Sequence, residues 1–235
     1  MNKIVLMLFL SMFSLEGKAQ TAQEFNSWWA YAGDHKISDK WGVHTLYSFR
    51  RNDFVKNWQQ SLTRAGVNYN FTKNFKLTVG YDWIVTFPYG AQPVAQKVNE
   101  QRIFQQAILK NRVGSLYVKH RFRFSQRFIE HNAMINRFRY RIGFSIPLGK
   151  KNIEAKTFYI SAFDEMFIGF GKGIHGPIFH QNWMYTGVGY KVNKKLALNL
   201  GYMNQYLIKA DNLHIESNHT LKFQMVYNLD LRKKK

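Results

Sequence analysis

From Arg137 to Phe144 the chain alternates without a break. Arg137, Arg139 and Arg141 fall on one side of an extended backbone, and Phe138, Tyr140, Ile142 and Phe144 on the other. Successive side chains of a β-strand point to opposite faces, so this pattern specifies a strand with one basic and one apolar face. The same period of two recurs along the chain. Leu77, Val79, Tyr81 and Trp83 alternate with Lys76, Thr78, Gly80 and Asp82. Leu221, Phe223, Met225, Tyr227 and Leu229 alternate with Lys222, Gln224 and Asn228, Val226 being the exception. No comparable apolar stripe of period 3.6 is present. A chain that is apolar at every second position explains how 46% hydrophobic residues coexist with a mean hydropathy of −0.37.

Eleven segments read as strands: 23–33, 41–51, 57–70, 75–87, 98–109, 114–128, 133–147, 153–168, 178–191, 196–208 and 217–230. Most reach ten residues or more. Soluble domains use strands of about five or six residues, whereas a tilted membrane strand needs about 9 to 11. The predicted fold is therefore all-β: an antiparallel transmembrane up-and-down β-barrel of about 10–12 strands. The connections alternate too. Ile37–Trp41, Phe71–Phe75, Lys110–Arg112, Pro147–Asn152 and Val192–Leu196 are short and basic, while 88–97, 169–177 and 209–216 are longer and irregular. Short turns facing the periplasm and longer loops facing outward are the bacterial outer-membrane pattern. Such barrels have even strand numbers, so eleven segments leave ten and twelve strands open.

The first residues read as an export signal. Lys3 is followed by an apolar run, Ile4 to Phe13, broken only by Ser11, and then by Gly17-Lys18-Ala19. The run is too short to cross about 30 Å of hydrocarbon as a helix. The small residues Gly17 and Ala19 suit cleavage before Gln20. The expected domains are a signal peptide, 1–19, and an outer-membrane barrel, 20–235. Cleavage would remove Lys3, Glu16 and Lys18, taking 34 basic and 14 acidic residues to 32 and 13, a formal charge of +19. The chain has no cysteine, so hydrogen bonds and packing alone must hold it.

The polar faces carry most of the charge. Lys119, Arg121, Arg123 and Arg127 alternate with Val118, Phe122, Phe124 and Phe128, and a short connection makes Arg137, Arg139 and Arg141 their antiparallel neighbours. A basic side chain facing lipid at the bilayer midplane costs roughly 2–4 kcal/mol. The arginine rows are therefore expected to line the lumen, together with Arg64 and Arg102. Adjacent like charges repel, so the lumen should also hold acids; the candidates are Asp82, Glu100, Glu154 and Glu165. Asp164 and Glu165 are sequence neighbours, so only one of them can point inward in a regular strand. The basic groups outnumber these acids.

Other motifs carry less. Gly171-Lys-Gly-Ile-His-Gly176 matches G-x-G-x-x-G but lies between two amphipathic strands, without the βαβ context of a dinucleotide site. His175 with His180, or His214 with His219, could meet in loops, but no metal-ligand spacing repeats, and neither metal nor cofactor is expected. There is no G-x-S-x-G or H-E-x-x-H motif. His44 and Ser48 share a phase but lie about 13 Å apart along a strand. Trp28, Trp29, Tyr31, Trp41, Tyr47 and Trp58 read as an interfacial aromatic girdle, as do Tyr81, Trp83, Phe87 and Tyr89. A nucleic-acid partner is excluded by the export signal and by the continuous apolar face behind the arginines.

An ordered set of motifs resembles one family. It runs through Lys36-Ile-Ser-Asp-Lys-Trp41, Asn99-Glu-Gln-Arg102, His120-Arg-Phe-Arg-Phe-Ser-Gln-Arg127 and Asn136-Arg-Phe-Arg-Tyr-Arg141. Asp164-Glu-Met-Phe-Ile168, Gly189-Tyr-Lys-Val-Asn-Lys194 and Gly201-Tyr-Met-Asn-Gln205 follow. In this respect the chain resembles the DUF2490 family of Bacteroidota outer-membrane barrels of unknown function. It departs from the pattern at Trp183, where an Arg is expected, and in its basic end, Leu231 to Lys235. The resemblance implies a fold and a place, the bacterial outer membrane, and no activity. The leading expectation is a non-enzymatic structural or interaction role in the envelope, with membrane lipid as partner. The alternative is a porin-like channel for small anionic solutes; lipopolysaccharide is a further candidate partner. A lipid- or envelope-modifying enzyme is the lesser alternative.

Overall fold

The computed structural model describes residues 20–232 except 92 and 175; the expected signal segment and the last three lysines lie outside the described residues. Eleven strands follow one another: β1 Gln20–Lys36, β2 Trp41–Asn52, β3 Asn57–Asn70, β4 Phe75–Thr86, β5 Val98–Val113, β6 Leu116–Ile129, β7 Ile135–Pro147, β8 Thr157–Phe170, β9 Phe179–Lys191, β10 Leu196–Ile208 and β11 His214–Tyr227. Each pairs antiparallel with the next, and β1 closes the barrel on β11. Side chains alternate between wall and lumen. Leu77, Val79, Tyr81 and Trp83 are exposed outside, while Thr78 and Asp82 between them are buried inside. Among the described residues no helix is long and apolar enough to cross a membrane.

The strand count corrects the expectation of an even number. In an up-and-down barrel the direction reverses at every strand, so an odd count makes the first and last strands run the same way. The seam is accordingly parallel, from Gln20 opposite His214 to Ala32 opposite Val226. It is latched at one rim, where Lys36 N–H donates to Leu229 O and Leu231 N–H to Lys36 O, each at 2.9 Å. The Asp34 N–H donates to Asn228 Oδ1 at 2.8 Å beside them.

That rim carries the short connections, 37–40, 71–74, 114–115 and 192–195, with the longer 148–156 among them. The opposite rim carries 53–56, 87–97, 130–134, 171–178 and 209–213. Two turns differ from expectation. β5 runs past Lys110–Arg112 and turns at Gly114, whose φ of 59° suits glycine in a two-residue hairpin loop. β8 begins at Thr157 and not at 153, after Lys156 takes a φ of 57°.

Inward glycines let large rings lie against the wall. A Cβ on Gly80 would stand 2.6 Å from Phe104 Cζ, and one on Gly189 only 2.1 Å from Tyr159 Cζ. Trp28, Phe167, Trp183, Tyr185 and Met203 form the buried apolar cluster, and it lies inside the barrel. Trp28 thus leaves the expected girdle: it is 4% exposed, whereas Trp41 and Trp58 are 51% and 45% exposed on the outer wall.

Candidate functional site

The lumen is built by alternation. Arg64 on β3 stands opposite Asp82 on β4, and a guanidinium fork closes on the carboxylate, Nε to Oδ1 at 2.5 Å and Nη2 to Oδ2 at 2.8 Å. Arg102 on β5 stands opposite Arg127 on β6. Their repulsion is removed by Glu100, two residues along β5, which accepts from Arg102 Nε at 2.5 Å and Nη2 at 2.9 Å and from Arg127 Nε at 2.5 Å and Nη2 at 3.0 Å. Both forks are bidentate, the geometry in which guanidinium and carboxylate match best.

Glu165 on β8 is fully buried and serves three arginines. Its Oε1 accepts from Arg121 Nη2 at 2.5 Å and Arg139 Nε at 2.8 Å; its Oε2 accepts from Arg141 Nε at 2.8 Å and also from Arg141 Nη2. Asp164 faces outward, where Asn182 Nδ2 donates to its carboxylate at 2.7 Å. Of the expected lumen acids, Asp82, Glu100 and Glu165 take that place and Glu154 does not. It sits in the exposed connection before β8 and pairs with Lys150 at 3.2 Å, because the strand starts four residues later than its apolar pattern implies.

The remaining lumen arginines meet no carboxylate among the described residues. Arg123 donates from Nε at 3.1 Å and Nη2 at 2.5 Å to the neutral Oε1 of Gln106, and lies 4.5 Å from the Phe104 ring. Arg137 faces the Phe167 ring at 5.7 Å. Arg50, absent from the sequence-derived candidates, stacks 3.6 Å over Trp28 and donates to Gln60 Oε1 at 2.5 Å. A β-bulge sets this corner: Arg50 faces Gln60 but Arg51 faces Trp58, which leaves Gln59 over. Gln59 is buried and its Oε1 accepts from Trp28 Nε1 at 2.8 Å. Lys222, also missed, lies over the rings of Phe163 and Tyr185 at 5.3 and 5.2 Å.

The interior holds two chambers. One, of about 290 Å³, lies toward the longer loops, and one of about 610 Å³ toward the short turns. Arg64, Arg121, Arg123, Arg141 and Lys222 line both, so they form the waist between them. Lys119 lines the turn-side chamber, as does Asp34, which binds Lys76 Nζ at 2.7 Å and His44 Nδ1 at 2.8 Å. Among the described residues no three His, Cys, Asp or Glu side chains come together to hold a metal.

Nine arginines and Lys222 line the loop-side chamber. Six of those arginines are held by the three carboxylates Asp82, Glu100 and Glu165. The connection 87–97 folds over this chamber: Ala91 N–H donates to Glu24 Oε1 at 2.6 Å and Tyr89 OH to Glu216 Oε1 at 3.1 Å. Farther out on the same rim, the hydrogen bond from the His214 ring, with the His214 and Leu213 backbone N–H groups, lowers Asp211 to about 2.

No curated protein matches the chain. Solved structures of OmpT, an outer membrane protein of Vibrio cholerae, are similar at low identity. The outer-membrane expressed form shares 11% identity over 79% of this chain and 58% of its own, with a TM-score of 0.40. The in-vitro folded form shares 11% over 78% and 57%, with a TM-score of 0.39. A variant lacking loop L8 shares 13% over 72% and 55%, with a TM-score of 0.38. This chain therefore spans less than two thirds of each of those chains. The family model for proteins of unknown function named DUF2490 matches residues 25–214, and the chain belongs to that family.

Proposed function

We propose that this protein is a bacterial outer-membrane barrel that accepts small anionic solutes into an arginine-lined lumen, a role of binding and passage without catalysis. One observation carries the reading: ten cationic side chains line the loop-side chamber, and among the described residues three carboxylates pair with six of them. A lumen with excess charge of one sign and low-dielectric walls concentrates counter-ions. Rings of Arg or Lys select anions in pores. The exposed aromatic and aliphatic wall, among them Trp29, Tyr47, Val79 and Trp83, fits a lipid surround.

A second reading is a purely structural barrel, favoured by Glu165. Two of its three guanidinium partners, Arg121 and Arg141, lie in the waist, and small barrels are commonly filled by side chains. Proteoliposome flux separates the two. Under the first reading, chloride and sulfate leave faster than potassium. Arg50→Gln with Arg137→Gln, which removes two guanidiniums that no carboxylate holds, lowers that ratio. Vesicles with no flux of either sign would favour the structural barrel.

A further inference from the structure

We infer that the loop-side chamber is a binding site for a tetrahedral oxyanion of the phosphate or sulfate class, an inference that rests on the anion-accepting lumen above. The buried hydrogen-bonding atoms without a partner include Arg50 Nε, Arg121 Nε, Arg137 Nε and Trp183 Nε1. Their side chains all line this one chamber. All four are N–H donors, so what the chamber lacks is acceptors. A buried polar group left without a partner is costly, and neither a cation nor an apolar ligand would relieve a donor.

The arrangement also limits the shape of the ligand. Arg50 comes from β2, Arg121 from β6, Arg137 from β7 and Trp183 from β9, so the donors approach from several sides of the barrel. A carboxylate offers its acceptor lone pairs in one plane, as Asp82 does to the Arg64 fork. A tetrahedral oxyanion presents acceptors in every direction. Arg137 has no carboxylate within 4.0 Å among the described residues, and Arg123, diagonal to it on β6, has only the neutral Gln106. Trp28, Phe167 and Trp183 line part of the chamber with apolar, low-dielectric surface, which strengthens each charge-assisted hydrogen bond there. At about 30 Å³ per water, a volume of about 290 Å³ leaves room for such an ion with part of its hydration or with a small substituent.

The test is calorimetric titration of the full chain, folded in detergent micelles, with inorganic phosphate, sulfate and a hexose monophosphate, against chloride at matched ionic strength. Saturable binding of phosphate or sulfate, absent with chloride, is expected. Arg137→Gln should weaken it about tenfold or more, as loss of a hydrogen bond to a charged group does. Trp183→Phe, which keeps the ring and removes only the N–H, should weaken it severalfold. Retention of heat-modifiable mobility on gels establishes that both variants are still folded barrels. Equal affinity for free phosphate and the hexose monophosphate would identify the inorganic ion as ligand, and tighter binding of the ester would identify a phosphorylated solute. Phosphate and sulfate behaving like chloride, or binding unchanged in both folded variants, would overturn the site. Anion-selective flux without phosphate or sulfate binding removes this inference alone; binding without flux upholds the site and removes the passage reading.

Discussion

At the scale of single residues, Glu165 is the most consequential side chain in the lumen. It holds Arg121, Arg139 and Arg141 while fully buried. Removing one member of a buried ion pair leaves charge uncompensated and typically costs about 3–5 kcal/mol. Glu165→Gln is therefore expected to lower unfolding stability by about that amount, measured by urea titration of the folded barrel. Glu154→Gln, in an exposed turn, should stay within about 0.5 kcal/mol. Equal effects would show that the Glu165 cluster is not a unit. Much of this cluster is legible in the sequence, because a period of two fixes which of two neighbours faces inward once the lipid face is known. The same rule requires one of Trp28 and Trp29 to turn into the lumen, a signal present in the sequence but masked by reading both as girdle. Arg50 is harder to place: its neighbourhood depends on the bulge at Arg51, and alternation contains no information about an extra residue.

At the scale of elements, the seam between β1 and β11 distinguishes this barrel. The sequence specifies each strand by its alternation, and local turns specify each antiparallel hairpin. Neither says whether the last strand meets the first, because that pairing joins residues nearly the whole chain apart. Turn lengths are similarly underdetermined. Ile153 and Glu154 continue an alternating pattern, yet the backbone turns at Lys156, so the acid stays outside. Parallel closure is testable by cross-linking, since the chain contains no native cysteine. Ala30 stands opposite Gln224 in the seam. Ala30→Cys with Gln224→Cys should oxidise to a cross-linked barrel, and Ala30→Cys with Val226→Cys, shifted by two residues, should do so far less. The reverse ranking would mean a different register, and no cross-link in either pair a different closure.

At the scale of the whole molecule, the odd strand count places the start of β1 at the long-loop rim and the end of β11 at the short-turn rim. Between those rims runs a lumen narrowed at a waist of arginines, with positive charge left over on the loop side. Among the described residues Arg50, Arg123 and Arg137 meet no carboxylate, and Asp82, Glu100 and Glu165 are committed to other guanidiniums. This surplus is the central claim, and its most direct measurement is the reversal potential of the protein in a planar bilayer under a potassium chloride gradient. A reversal potential displaced toward that of chloride, and reduced toward zero by Arg50→Gln with Arg137→Gln, is the predicted result. A potential displaced toward that of potassium would contradict the account.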